Sequence, residues 1–252
     1  MAEFKLDFFL FWLESLARVA VLFLFWMKIW SSPSGEEIST MERPLFMSLL
    51  LHCSIIFLPM RSPDKITQMI EIPVITGSIS STLCRPVNPI LMNLSRILCQ
   101  QMRMLILVLV LLFISDLFLA KHFQLPPPHL SKLLNPLFII SLLTGLLIHN
   151  LLYLGIGLFS FWIGEVWSIL YALTIVASFM SGQLCPLGML PDLDFYSQLL
   201  PFRYFAYSAA SIYSGHGHID EWFKQLIMLV LISIAIALLY KKAIRKFEAA
   251  GG

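Results

Sequence analysis

An all-α membrane protein with six transmembrane helices is the fold class this sequence predicts, and three observations predict it. Of 252 residues, 58% are hydrophobic and only 13% charged, where soluble domains are roughly a quarter charged. The apolar residues are gathered into blocks long enough to cross a hydrocarbon layer about 30 Å thick. The basic residues collect in alternate connections, the asymmetry expected of a chain inserted into a bilayer. An open chain in lipid can satisfy its own backbone polar groups only as helix, so all six blocks read as helices.

The first block runs roughly from Phe8 to Trp30. The opening MAEFKLDFFLFWLESLARVAVLFLFW lacks the basic start, short apolar core and small-residue cleavage site of a signal peptide, and is expected to be a retained span. The second block covers roughly Pro44 to Met60, the third Met104 to Ala120, and the fourth Leu137 to Phe159. The fifth covers roughly Val166 to Gly182 and the sixth Trp222 to Tyr240. No linker sets off a second domain, so residues 1–252 form a single transmembrane domain.

Charge placement gives the orientation. The connection at 61–103 holds Arg61, Lys65, Arg85, Arg96 and Arg103, and the tail holds Lys241, Lys242, Arg245 and Lys246. An even number of spans puts both on the side of Lys5, the cytoplasmic side, with both termini there. The opposite connections carry Glu36, Glu37 and Glu42, then Asp192, Asp194, Asp220 and Glu221. Trp26 and Trp30 suit the outer interface, Trp162 and Trp167 the inner one.

Two connections are more than turns. In the inner one, Gly77 with Ser78, Ser80 and Ser81 offers a helix start, because a serine side chain can accept from a free backbone N–H. Pro86 and Pro89 end that short helix. Pro89 then opens a second helix with Ile90, Leu94, Ile97 and Leu98 on one face and Asn93, Arg96, Gln100 and Arg103 on the other. That pattern fits a helix lying along the membrane surface, either docking a cytoplasmic partner or pinning the loop to the bilayer. The outer stretch, Phe179 to Gly215, is interrupted by Pro186, Pro191 and Pro201, yet is too apolar for a solvated loop. It reads as a broken, partly re-entrant element at residues 183–215.

Chemistry-bearing motifs are few. The chain contains no GxxxxGK[ST], so it has no P-loop for nucleotide phosphates. Cys53, Cys84, Cys99 and Cys185 form no CxxC pair, and the histidines near His216 and His218 lack further close ligands, so no metal or cofactor site is expected. No cluster of serine, histidine and acid at a span end suggests a membrane hydrolase. Among polar residues at membrane depth, Glu14 and Arg18 lie one helical turn apart. Asp116 lies toward the outer end of the third block, His52 in the second, and His149 and Asn150 in the middle of the fourth. Each could line a pathway or bond across helices. Ala177, Ser178, Ser181 and Gly182 give small-residue spacing, open to packing within the chain or against a second copy.

Three segments together resemble one family. GSISSTLCRPVNPILMNLSR after the second block, FSFWIGEVWSI between the fourth and fifth, and SGQLCPLGMLPDLDFYSQLLPFRYFAYSAASIYSG after the fifth are similar to the signature segments of bacterial ABC type-2 export permeases. The similarity extends over nearly the whole chain from Glu3. It implies a non-enzymatic permease in the plasma (inner) membrane that forms the translocation path. Its partners would be a second permease, identical or paralogous, and two ABC ATPase subunits carrying the ATP and Mg²⁺. It assigns ATPase coupling to Gly77, Ser78, Leu83, Arg85, Pro86, Asn88 and Pro89. It also makes the outer stretch, with Gly182, Pro186, Pro191, Pro201, Phe202 and Tyr204, a gate, and tips Ala177, Ser178, Ser181 and Gly182 toward a dimer interface. One departure is that only MAEFKLDF precedes the first block, where the family has an amphipathic surface helix. The rival reading from another class is a membrane scaffold or assembly subunit without cargo.

Overall fold

The structure, a computed structural model, describes residues 17–29, 43–60, 62–123, 130–185, 187 and 191–246. The described residues form helices joined by short turns, with no strand among them. Residues 17–29 form α1, followed by α2 (Arg43–Ile56), α3 (Pro63–Ile75) and the one-turn α4 (Ile79–Leu83). Then come α5 (Pro89–Phe123), α6 (Leu130–Leu133), α7 (Pro136–Leu158), α8 (Ser160–Ile163) and α9 (Trp167–Met180). The chain closes with α10 (Pro191–Ser197), α11 (Arg203–Tyr213) and α12 (Ile219–Lys246).

Among these residues, three helices are long and apolar enough to cross a membrane: Pro89–Phe123, Pro136–Ile163 and Ile219–Lys246. A fourth is added if Pro44–Ile56 and Leu58–Ile75, bent by 44°, count as one broken span. The block expected as a fifth span forms α9, whose 14 residues fall short of the roughly 20 a crossing requires. The block expected as the first span is described only from residue 17 onward.

The second expected span differs in an informative way. Its helix stops at Ile56, because Pro59 has no N–H to continue the ladder, and a single 3₁₀ turn at Leu58–Met60 follows. The chain resumes as α3, so the first part of the connection at 61–103 is packed helix and not loop. Ile66, Thr67, Ile70 and Glu71 of α3 are buried. The fit against α7 is close: the Thr67 hydroxyl donates to the Tyr153 carbonyl at 3.1 Å, and a Cβ on Gly157 would lie 2.7 Å from the Thr67 carbonyl oxygen.

The amphipathic helix expected at Pro89 and the third span are one continuous α5 of 35 residues. No glycine or proline falls between Pro89 and Phe123 to break it. Its start is fixed as the sequence suggests, with Pro89 at the first position and the Asn88 side chain accepting from the Ile90 N–H at 2.9 Å. Asn93 is an exception to the expected polar face, since it is buried with Ile90 and Ile97. The short helix before it also forms differently. Ser78 makes no side-chain cap; the Ser80 and Ser81 hydroxyls donate back to the carbonyls of Gly77 and Ser78 at 2.9 and 2.8 Å.

α7 lies at the centre of the fold. It carries no charged residue and is apolar on all sides, the mark of a buried helix. In its apolar window 67% of residues are buried, against 17% for α12, so α12 lies at the periphery. Asn135 caps α7 by accepting from the Leu137 N–H at 3.0 Å. Packed against α7, α2 and α12 is α11, in which all eleven residues are buried. Alanines at 206, 209 and 210 and a glycine on α7 allow this approach. A Cβ on Gly145 would lie 2.5 Å from the Phe205 carbonyl oxygen and 2.8 Å from that of Tyr204.

Candidate functional site

The buried polar groups are not scattered. They gather into tiers, each bridging several helices. The first tier is built on Arg203, at the start of α11 and 4% exposed. Its guanidinium pairs with Asp194 on α10, donates to the Ser197 hydroxyl at 3.2 Å, and reaches Glu221 on α12 at 3.4 Å. The same group lies 4.5 Å over the Tyr207 ring. Gln225 of α12 completes this level, donating to the carbonyls of Ser141 and Tyr204 at 2.9 Å each while accepting from the Ser141 hydroxyl at 2.8 Å.

The second tier joins α2, α5 and α11. His52 lies 3.0 Å from Asp116 through Nε2 and 3.1 Å from the Ser214 hydroxyl through Nδ1. The other Asp116 oxygen accepts from the Tyr213 hydroxyl at 2.8 Å. A serine, histidine and acid cluster therefore exists, contrary to the sequence reading, because three separated segments converge. Its surroundings do not suit acyl transfer. Such chemistry needs N–H donors aimed at a developing oxyanion. Here the N–H groups of Ser214, Gly215, His216 and Gly217 all bond to carbonyls of α11, at 2.9, 3.2, 3.0 and 2.8 Å. Ser214 also lies at a helix C-terminus, where the dipole opposes negative charge. The cluster therefore acts as a cross-helix tie. We expect Ser214→Ala to change stability by no more than about 1 kcal/mol and the chain to resist a fluorophosphonate serine probe. Asp116→Ala, which strands His52 and Tyr213, is expected to cost roughly 3 kcal/mol. Thermal unfolding in detergent compares the two.

The third tier lies at mid-depth. Asn150 donates to the Gln101 side-chain oxygen at 2.7 Å, and Gln101 donates back at 3.0 Å and to the Pro59 carbonyl at 3.1 Å. His149 touches Asn150 at 3.2 Å and packs among Phe57, Tyr153 and Phe205. The carbonyl at the break between α2 and α3 is thus braced by α5. The fourth tier is Glu71 of α3, 3% exposed, which accepts from the Val166 N–H at the start of α9 at 2.8 Å. A carboxylate there complements the positive end of the helix.

Of the residues expected to matter, Glu14 and Pro186 lie outside the described residues, which leaves the Glu14–Arg18 pair unseen. Arg18 lines a small cleft with Ser54, Phe57 and Gln183. Asp116, His149 and Asn150 are buried and bonded across helices as described. In the coupling segment, Gly77 adopts a left-handed φ of 72°, and Cys84, Arg85, Pro86, Val87 and Asn88 form an exposed run between α4 and α5. Ile79 and Pro89, both buried, anchor that run at its two ends.

In the outer stretch, Phe202 and Tyr204 are buried, the Tyr204 hydroxyl donating to the Gln198 carbonyl at 2.7 Å, while Pro201 is half-buried and Pro191 opens α10. Of the small residues, Ala177, Ser181 and Gly182 are buried within this chain and Ser178 is half-buried. Gly182, at φ 75°, has its Cβ position 2.9 Å from the Tyr207 ring and 3.2 Å from Cys53 Sγ, a close approach to α11 and α2 of the same molecule.

Sequence reasoning missed Gln101, Gln225, Glu71 and Tyr213. Gln225 left a usable signal, a lone amide in the apolar run WFKQLIMLV. Glu71 did not, because it fell in a segment taken as connection, and Gln101 lay in the helix expected to run along the membrane surface, where an amide is unexceptional.

The family model described as ABC-2 family transporter protein matches residues 16–251 of this chain. Neither a curated protein nor a solved structure gives a match.

Proposed function

We propose, because the chain belongs to the ABC-2 family of transporter proteins, that it lines the export path of a transporter driven by two separate ATPase subunits and completed by a second permease. In this reading α1, the α2–α3 pair, α5, α7 and α12 cross the membrane, and α9, too short to cross by itself, makes the sixth passage together with the turn at 181–185. Both termini and the 76–88 connection face the cytoplasm of a bacterial inner membrane. The α10–α11 segment is re-entrant and closes the outer end of the path, with Phe202 and Tyr204 in its wall. A buried, non-spanning helix is tolerated at membrane depth only where protein surrounds it, and α11 meets that condition.

The observation that carries the reading is the run Cys84–Asn88. It is exposed, short and charged, yet anchored at both ends by buried residues. A partner pressing on it moves α3 and α5 together, since Asn93 of α5 touches the Met69 carbonyl of α3 at 3.4 Å. ATP and Mg²⁺ bind the partner subunits and bias the permease between two global states.

Co-purification tests this directly. The chain is expected to retain a P-loop ATPase whose hydrolysis rate depends on it. Arg85→Glu is expected to lower that coupled activity at least about tenfold, a loss of about 1.4 kcal/mol. Absence of any such ATPase from the purified complex would sink the transporter reading. Intact coupling in Arg85→Glu would remove Arg85 from the docking surface.

A further inference from the structure

Where α5, α7 and α12 diverge, a groove of about 460 Å³ opens on the side of the molecule. That volume lies within the range of ligand sites, roughly 300–1,000 Å³. Its walls are aliphatic: Ile90, Leu91 and Leu94 on α5, Leu151 at its floor on α7, and Ile236 and Ala237 on α12. One end is different in kind. There Asn88, Tyr240 and Lys241 line it, and the first turn of α5 adds the partial positive charge of a helix N-terminus.

None of the buried tiers reaches this groove, and of its lining only Asn88 belongs to the Cys84–Asn88 run. All three of its lining helices are long and apolar enough to cross a membrane, and α12 exposes most of its apolar length. The chemistry is thus an aliphatic slot alongside lipid with a cationic, hydrogen-bonding head at the basic end of α12. Lys242, Arg245 and Lys246 extend the positive charge beyond that head.

We propose that the groove is a binding site for one anionic glycerophospholipid of the surrounding leaflet. An acyl chain lies between Leu91, Leu94 and Ala237, and the phosphate lies against Lys241 and the Tyr240 hydroxyl. Anionic headgroups gain about 1 kcal/mol per nearby Lys or Arg, so a zwitterionic lipid of equal chain length binds more weakly. The leaflet is the one at the carboxyl-terminal end of α12, the cytoplasmic one in the orientation proposed above. The site depends on the chain being embedded in a bilayer. It does not depend on ATPase coupling.

The test uses the full chain reconstituted in vesicles with a photoactivatable phosphatidylglycerol carrying a mid-chain diazirine, compared with the matching phosphatidylcholine. Mass spectrometry of the labelled peptides maps the contacts. The expected result is labelling of Leu91–Leu94 and Ser233–Tyr240 at least about fivefold stronger with phosphatidylglycerol, corresponding to about 1 kcal/mol. Lys241→Gln is expected to remove most of that preference. Ala237→Trp, at an exposed position where folding is spared, is expected to remove the labelling itself. Leu94→Trp fills the slot from the other wall and is expected to do the same.

Equal labelling by both lipids, or labelling unchanged by both tryptophan variants, would overturn the proposal. So would cross-links from the groove to residues 247–252 or to a second copy, which would make the occupant protein. The assay needs no ATPase, so its failure is separable from failure of the transporter reading.

Discussion

Arg203→Met is expected to lower stability by roughly 3 kcal/mol, the cost of stranding the partners of a buried charge. The substitution removes the cation that Asp194 and Glu221 share at the junction of α10, α11 and α12. Asp194 is partly solvated, with 29% of its side chain exposed, and relaxes toward water; Glu221, at 17%, keeps Lys224 at 3.6 Å and the Ser208 hydroxyl at 3.4 Å. Arg203→Lys is expected to recover less than half of the loss. A lysine keeps the charge but cannot hold Ser197 and Asp194 with one planar fork, nor stack on Tyr207. Thermal unfolding in detergent ranks the two variants, and protease sensitivity between Pro191 and Ser214 locates the damage. Equal stability of wild type and Arg203→Met would mean that the tier carries no weight in the fold.

Gly145→Ala should be the costliest of the glycine substitutions, even though alanine favours a helix by about 1 kcal/mol over glycine. The added methyl would lie 2.5 and 2.8 Å from two backbone oxygens of α11, and backbone cannot turn aside. Overpacking of this kind costs roughly 1–3 kcal/mol, and Gly145→Val should prevent α11 from seating at all. Gly155→Ala is the control on the same helix. Its Cβ would meet only side-chain carbons of Ile236, at 3.1 and 3.4 Å, and a rotamer change in Ile236 absorbs the contact. Near-neutral behaviour at both positions would refute the close crossing of α7 and α11.

These two residues also mark what the sequence could convey. Helix class, the length of α7 and the start of α5 were legible, because they follow from local rules: a charge-free apolar run, an Asn cap before proline, a proline at the first turn. The coarse placement of a transporter family was legible too, from three short segments in register. What was not legible needed partners remote in sequence. The acid, histidine and tyrosine of the second tier come from positions 116, 52 and 213. No spacing rule links them.

The helix break at Pro59 was visible as a proline, but its consequence was not. Whether a chain ends or continues after such a break depends on whether the next segment has somewhere to pack. α3 continues because Gly157 on α7 admits the Thr67 backbone. The small residues at 177–182 show the complementary limit. Their spacing announces close approach but does not name the surface, and at Gly182 that surface includes Tyr207 of α11 and Cys53 of α2.

The placement of Glu221 and Gln225 bears on how the protein is made. Both lie on α12, and both bond to α11, which precedes it in the chain. Until α12 has been synthesised, Arg203 lacks one of its two carboxylate partners and α11 lacks the amide that ties it to Ser141 of α7. A short polar-ended helix in that condition has no stable place in hydrocarbon. The α10–α11 segment is therefore expected to seat against α7 only once α12 has been made.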